Sequence, residues 1–79
     1  MDKVRAKFKV NSITRQAGRG GNKEMHTVKL TPVVGDTEEN KRFYAATPGG
    51  SIDLSVVKEE IGNHFDIGAE FYVDFTKAS

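Results

Sequence analysis

The 79-residue sequence contains no cysteine and no tryptophan, and only two prolines and two histidines. Without cysteine it can form neither a disulfide nor a thiolate zinc site, so a domain this small must hold together by packing alone. His26 and His64 are isolated, leaving scattered carboxylates as the only further ligands, and no metal site is expected. No apolar run approaches the roughly 18 residues that a membrane span requires. The opening MDKVRAKFKV alternates charged with apolar residues instead of building a signal-peptide core. A cytoplasmic location without a membrane partner is the expectation. Also missing are a serine nucleophile elbow, a Walker loop and a dinucleotide fingerprint. Glu38-Glu39 and Glu59-Glu60 are adjacent pairs, whose side chains diverge on a regular element and suit solvated faces better than acid/base work. No catalytic residue and no cofactor emerges, and a non-enzymatic role is expected.

What is present suits one globular domain over residues 1–79: 37% apolar residues, 29% charged residues, five phenylalanines and two tyrosines. Net charge is +1, but it is segregated along the chain. Residues 1–23 carry seven basic side chains against one acidic, a balance of +6, whereas the remainder carries five against ten, a balance of −5.

Residues 3–10, KVRAKFKV, alternate strictly, with Val4, Ala6, Phe8 and Val10 on one face and Lys3, Arg5, Lys7 and Lys9 on the other. This is the period of a half-buried strand. Burial of Ile13 then demands a bulge near Asn11-Ser12, because the unbroken register would turn Ile13 to the basic face. Gln16–Lys23, with three glycines, reads as a loop. A second strand over Glu24–Val34 puts His26, Val28 and Leu30 together, and completes a hairpin. Gly35–Asn40 reads as a polar loop with Asp36 placed to cap, and Arg42–Thr47 as a short aromatic strand. Pro48-Gly49 fits a type II turn, with positive φ at Gly49, into a fourth strand at Ser51–Ser55. From Ser55 as N-cap, Val57, Ile61 and Phe65 recur at helical spacing. Glu70–Phe75 alternates again, with Phe71, Val73 and Phe75 on one face. Phe8, Phe43, Phe65, Phe71 and Phe75 are the expected aromatic core.

Five short strands and one helix close most economically into a barrel, since closure removes exposed edges. The expected fold is all-β: a small five-stranded SH3-like or Sm-like barrel with a short helix before the last strand. An OB-fold barrel is the alternative.

Three blocks, KVRAKFKV (3–10), EENKRFYAATPGGSIDLS (38–55) and GAEFYVDFTKA (68–78), resemble a group of short, largely uncharacterised proteins of tailed bacteriophages and marine metagenomes. The resemblance runs along most of the chain. It implies a small β-barrel, Sm-like or OB-like, and a phage origin, which would put the protein in the cytoplasm of an infected host cell. It carries over no activity and no functional residue.

Two functions follow from these features. In the first, the barrel binds single-stranded nucleic acid or RNA through the basic hairpin loop and the adjoining first strand, with Lys7, Lys9, Arg15, Arg19 and Lys23 tracking phosphates. Arg19-Gly20-Gly21 spells a single RGG element, and Tyr44 and Tyr72 are candidate stacking platforms, although Tyr72 lies between acids that disfavour phosphate. The competing reading of the stripe comes from the barrel itself: first and last strands are neighbours, setting Lys3, Arg5, Lys7 and Lys9 beside Glu70 and Asp74 and neutralising them. In the second function the chain is a protein–protein assembly module forming Sm-like homo-oligomers without nucleic acid.

Overall fold

The computed structural model of the protein describes residues 3–18, 23–57 and 64–79. Four antiparallel strands, β1 (Lys3–Gln16), β2 (Met25–Pro32), β3 (Ile52–Val57) and β4 (Glu70–Thr76), form a curled half-barrel sheet in the order β3-β2-β1-β4. One helix, α1 (Glu38–Ala46), lies between β2 and β3 in sequence.

Alternation builds the core as the sequence predicts. Ala6, Phe8 and Val10 of β1, Val28 and Leu30 of β2, and Val56 of β3 are buried together, with Ile13, Ile52, Phe65, Phe71 and Val73 partly buried against them. The expected bulge is present: β1 pairs Val10 with Leu30 but Ser12 with Lys29, so Asn11 is the extra residue. Beyond it Ile13 faces Val28 on the apolar side.

The sequence reading departs from the structure at the helix. Arg42–Thr47, expected as a strand, forms the second half of α1 and its C-cap, so the described residues hold four strands and not five. Gly35–Asn40 is not wholly a loop either, because Thr37, not Asp36, is the N-cap: its hydroxyl accepts from the Asn40 amide at 3.0 Å. Glu38 and Glu39 then fall in the first turn, where carboxylates favour the helix dipole. Helix growth ends at Thr47, the residue before Pro48, where the α conformation is disfavoured. The Pro-Gly-Gly step therefore leads from helix to strand. Its positive φ falls at Gly50 (131°), one residue after the position the type II turn would use. Ser55 does not start a helix, since Ser55–Val57 complete β3. The rest of that expected helix, 58–63, lies outside the described residues.

α1 rests on the polar face of the sheet, opposite the apolar core. Asn40 pins it there, 1% exposed. Its Nδ2 donates to Asp36 Oδ1 at 2.8 Å and to Glu70 Oε2 at 3.3 Å, joining the helix start to β4. Asn40→Ala should cost about 1–3 kcal/mol, because two carboxylates lose a donor at a buried position. Urea unfolding followed by circular dichroism measures this. A loss below about 0.5 kcal/mol would mean that the helix is held by other contacts.

Candidate interaction surface

The antiparallel pairing of β1 with β4 sets Arg5 opposite Asp74, Lys7 opposite Tyr72 and Lys9 opposite Glu70. Two of the basic residues that alternation put on this face, Arg5 and Lys7, form ion pairs with acids. Arg5 makes a two-pronged contact with Asp74, Nε to Oδ1 at 2.7 Å and Nη2 to Oδ2 at 3.0 Å. Lys7, with 14% of its side chain exposed, reaches Glu39 at 3.2 Å and Glu70 at 3.3 Å. Desolvation opposes the charge on Lys7, but its hydrogen bonds to Glu39 and Glu70 outweigh this and raise its pKa. Lys9 is exposed, and its charge acts on nearby Asp36. The neutralising arrangement anticipated from the sequence is found for Arg5 and Lys7.

Arg15 does not continue this stripe. Asn11 shifts the register, so Arg15 pairs with buried His26 and lies on the apolar side of the sheet, away from Lys7 and Lys9. There Arg15 donates to Glu24 at 2.8 Å, and the other Glu24 oxygen is 3.3 Å from His26 Nε2. Lys23 is exposed and also has an interaction of its own. Arg19 and the RGG element lie outside the described residues. Of the residues proposed for nucleic acid, Lys7 and Lys9 therefore lie on one face of the sheet and Arg15 on the other. Among the described residues, no three or more His, Asp or Glu side chains gather into a metal-binding group.

Glu39, which the sequence reading left as a solvated carboxylate, joins helix to sheet. It accepts hydrogen bonds from the Tyr72 hydroxyl and from Lys7. The Tyr72 and Lys7 hydrogen bonds hold its carboxyl below the ordinary range, and the Asn40 amide does the same for Asp36. Because both pKa values are depressed on folding, the stability they contribute is complete above the unfolded values, about pH 4, and is lost as pH falls through the folded ones. Urea midpoints measured across that acid range should fall more steeply for the wild type than for Glu39→Gln. Equal slopes would remove Glu39 from the acid response.

The other face is apolar and incompletely covered. Phe75, expected in the core, is 56% exposed; Val4, its partner in register, is 63% exposed, and Leu54 on β3 is 41% exposed. Leu54 and Phe75 border an open groove of about 480 Å³, whose lining includes Leu30 and Ile52 on one side and Phe65, Phe71 and Val73 on another. β3 and β4 are the two edges of the sheet, and they run antiparallel to each other, since every neighbouring pair between them is antiparallel. Alternation identifies which residues lie on this face. It does not say that an edge strand leaves its outermost side chains uncovered.

These features define a small, mostly β protein with a curled sheet, a charge-compensated polar face under one helix, and two edge strands bordering an apolar groove. No family model matches the chain, and no curated protein or solved structure was found to match it. No helix among the described residues is long and apolar enough to cross a membrane.

Proposed function

We propose that the chain is a non-enzymatic assembly module that forms homo-oligomers by joining the β4 edge of one copy to the β3 edge of the next, in the manner of Sm-like barrels. The observation that carries this reading is the match between the two edges. Because the sheet has four strands in antiparallel alternation, a second copy added head to tail continues that alternation with its apolar face on the same side. The edges are of near-equal length, six residues in β3 and seven in β4.

One register suits their side chains. Setting Leu54 opposite Phe75 also sets Val56 opposite Val73, Val57 opposite Tyr72, Ser55 opposite Asp74 and Asp53 opposite Thr76. It covers two exposed apolar side chains and brings no like charges together. A shift by two residues in one direction opposes Asp53 to Asp74, and a further shift leaves Phe75 beyond the end of β3. Such a contact is heterologous, and the curl of each sheet favours closure into a ring over growth of an open filament.

Internal pairing of Arg5, Lys7 and Arg15 is what moves the weight from the polyanion reading to this one. Sedimentation equilibrium over a range of concentrations tests it, with a multiple of the chain mass expected. A monomer at several hundred micromolar would overturn the proposal. If nucleic acid were instead the partner, oligonucleotide titration would give a steep salt dependence that weakens on neutralising Arg15, Arg19 and Lys23.

A further inference from the structure

A second cavity lies where α1 crosses the polar face, with Tyr72 of the edge strand β4 in its wall. It is an open cleft of about 430 Å³ lined by Arg5, Glu39, Arg42, Phe43, Ala46 and Tyr72. The four helix residues stand at i, i+3, i+4 and i+7, so one side of α1 forms one wall; Arg5 of β1 and Tyr72 of β4 form the other. The volume falls within the range of small-molecule sites.

The lining combines two chemistries. Phe43 and Tyr72 present aromatic rings whose centroids are 6.0 Å apart, inclined by 50°, so they do not stack on each other; Arg5 and Lys7 lie over the Tyr72 ring, 5.0 and 5.5 Å from its centroid. Arg5 and Arg42 contribute guanidinium groups. The single acid in the wall, Glu39, already accepts hydrogen bonds from Tyr72 and Lys7, so its charge is compensated by the protein. Arg5 is held by Asp74, but that contact uses only part of its five N–H donors. Arg42 is exposed and makes no ion pair or hydrogen bond among the described residues. The acids flanking Tyr72, which in sequence disfavour an anion, are bound by Arg5 and Lys7 in the fold.

We propose that this cavity binds a small aromatic anion of the nucleoside monophosphate class, its ring against Phe43 and Tyr72 and its anionic group on Arg42. Guanidinium groups favour phosphate and carboxylate through paired N–H contacts, and aromatic rings accept a planar base without regard to its edge. The shared chemistry is a ring bearing an anion, and the choice of probe distinguishes its sources.

The experiment is a titration of the full chain, followed by NMR shifts of the Phe43, Tyr72 and Arg42 signals, with the four common nucleoside 5′-monophosphates, benzoate and inorganic phosphate as separate probes. Saturable shifts with at least one nucleotide are expected, with inorganic phosphate weaker by about tenfold or more because it lacks the ring. Arg42→Ala should weaken nucleotide binding by about tenfold or more, and Phe43→Leu should weaken it while leaving phosphate unchanged. Binding of benzoate as tight as that of any nucleotide would assign the site to aryl carboxylates within the same chemistry. Arg42 is exposed, so its variant retains the fold, which circular dichroism verifies. No saturable shift with any probe, equal affinity for phosphate and nucleotide, or undiminished nucleotide binding by Arg42→Ala would each overturn the proposal.

Discussion

Replacing Leu54 and Phe75 together with lysine is expected to leave a folded monomer where the wild-type chain sediments as an oligomer. The edge contact sets these two side chains opposite each other, one from each copy, so the double variant brings two ammonium groups together where two apolar groups met. Like charges at the centre of a ladder cost several kcal/mol, and the dissociation constant should rise by about a hundredfold or more. Each side chain is more than two-fifths exposed within one chain, so its replacement removes little from the core. Val34→Lys is the matched control: Val34 is 58% exposed and belongs to neither edge strand, and its variant should sediment like the wild type. Restoring opposite charge, with Leu54→Lys combined with Phe75→Glu, should recover part of the association. A double-lysine variant that assembles as tightly as the wild type would move the contact elsewhere.

Loss of the Phe8 ring should have the largest effect on the single chain. Phe8 is 5% exposed, opposite Phe71 on one side and Pro32 on the other, at the centre of the buried cluster. Phe8→Ala in such a site costs about 3–5 kcal/mol, the sum of lost transfer free energy and the cavity left behind. A domain of this size has roughly 4–12 kcal/mol of total stability. The variant should therefore lose between a quarter and all of it, measured as a fall in the urea midpoint at unchanged slope. Val4→Ala, four residues earlier in the same alternation, should change the monomer by about 0.5 kcal/mol or less, because Val4 is 63% exposed. A similar loss from both substitutions would mean that the sheet is covered more evenly than its groove implies.

The contrast between Val4 and Phe8 marks how far alternation reaches. It assigned faces to β1, β2 and β4, required the bulge at Asn11, and with the neighbouring of first and last strands anticipated the pairing of Arg5 with Asp74. How deeply a residue is covered depends on whether strands flank it on both sides: Phe8 lies between Pro32 and Phe71, whereas Val4 is paired only with Phe75, and local pattern does not encode this. α1 was illegible for a related reason. Phe43 and Tyr44 have strand propensity, and the helix has few apolar side chains to mark a period. It is specified instead by the Thr37 cap and by contacts with Lys7, Glu70 and Tyr72, which lie some thirty residues away in sequence. Asn40, among the most deeply buried residues, is polar, and only its position between Asp36 and Glu70 explains it. The candidate cavity inherits this difficulty, since Arg5, Arg42 and Tyr72 come together only when the helix crosses the sheet.

Asn11 bears on how the surface of this protein can vary. Up to Val10, odd-numbered residues of β1 face the helix; after the extra residue, even-numbered ones do. Amino-acid replacement can add or remove a cation along this strand, but cannot carry an existing one from one surface to the other. Loss of the codon for Asn11 would remove only the extra residue: Ser12 would follow Val10 in unbroken alternation, with Ile13 still on Val28 and Arg15 still on His26. Position 11 is thus a place where the chain can shorten by one residue without exchanging the two faces of β1.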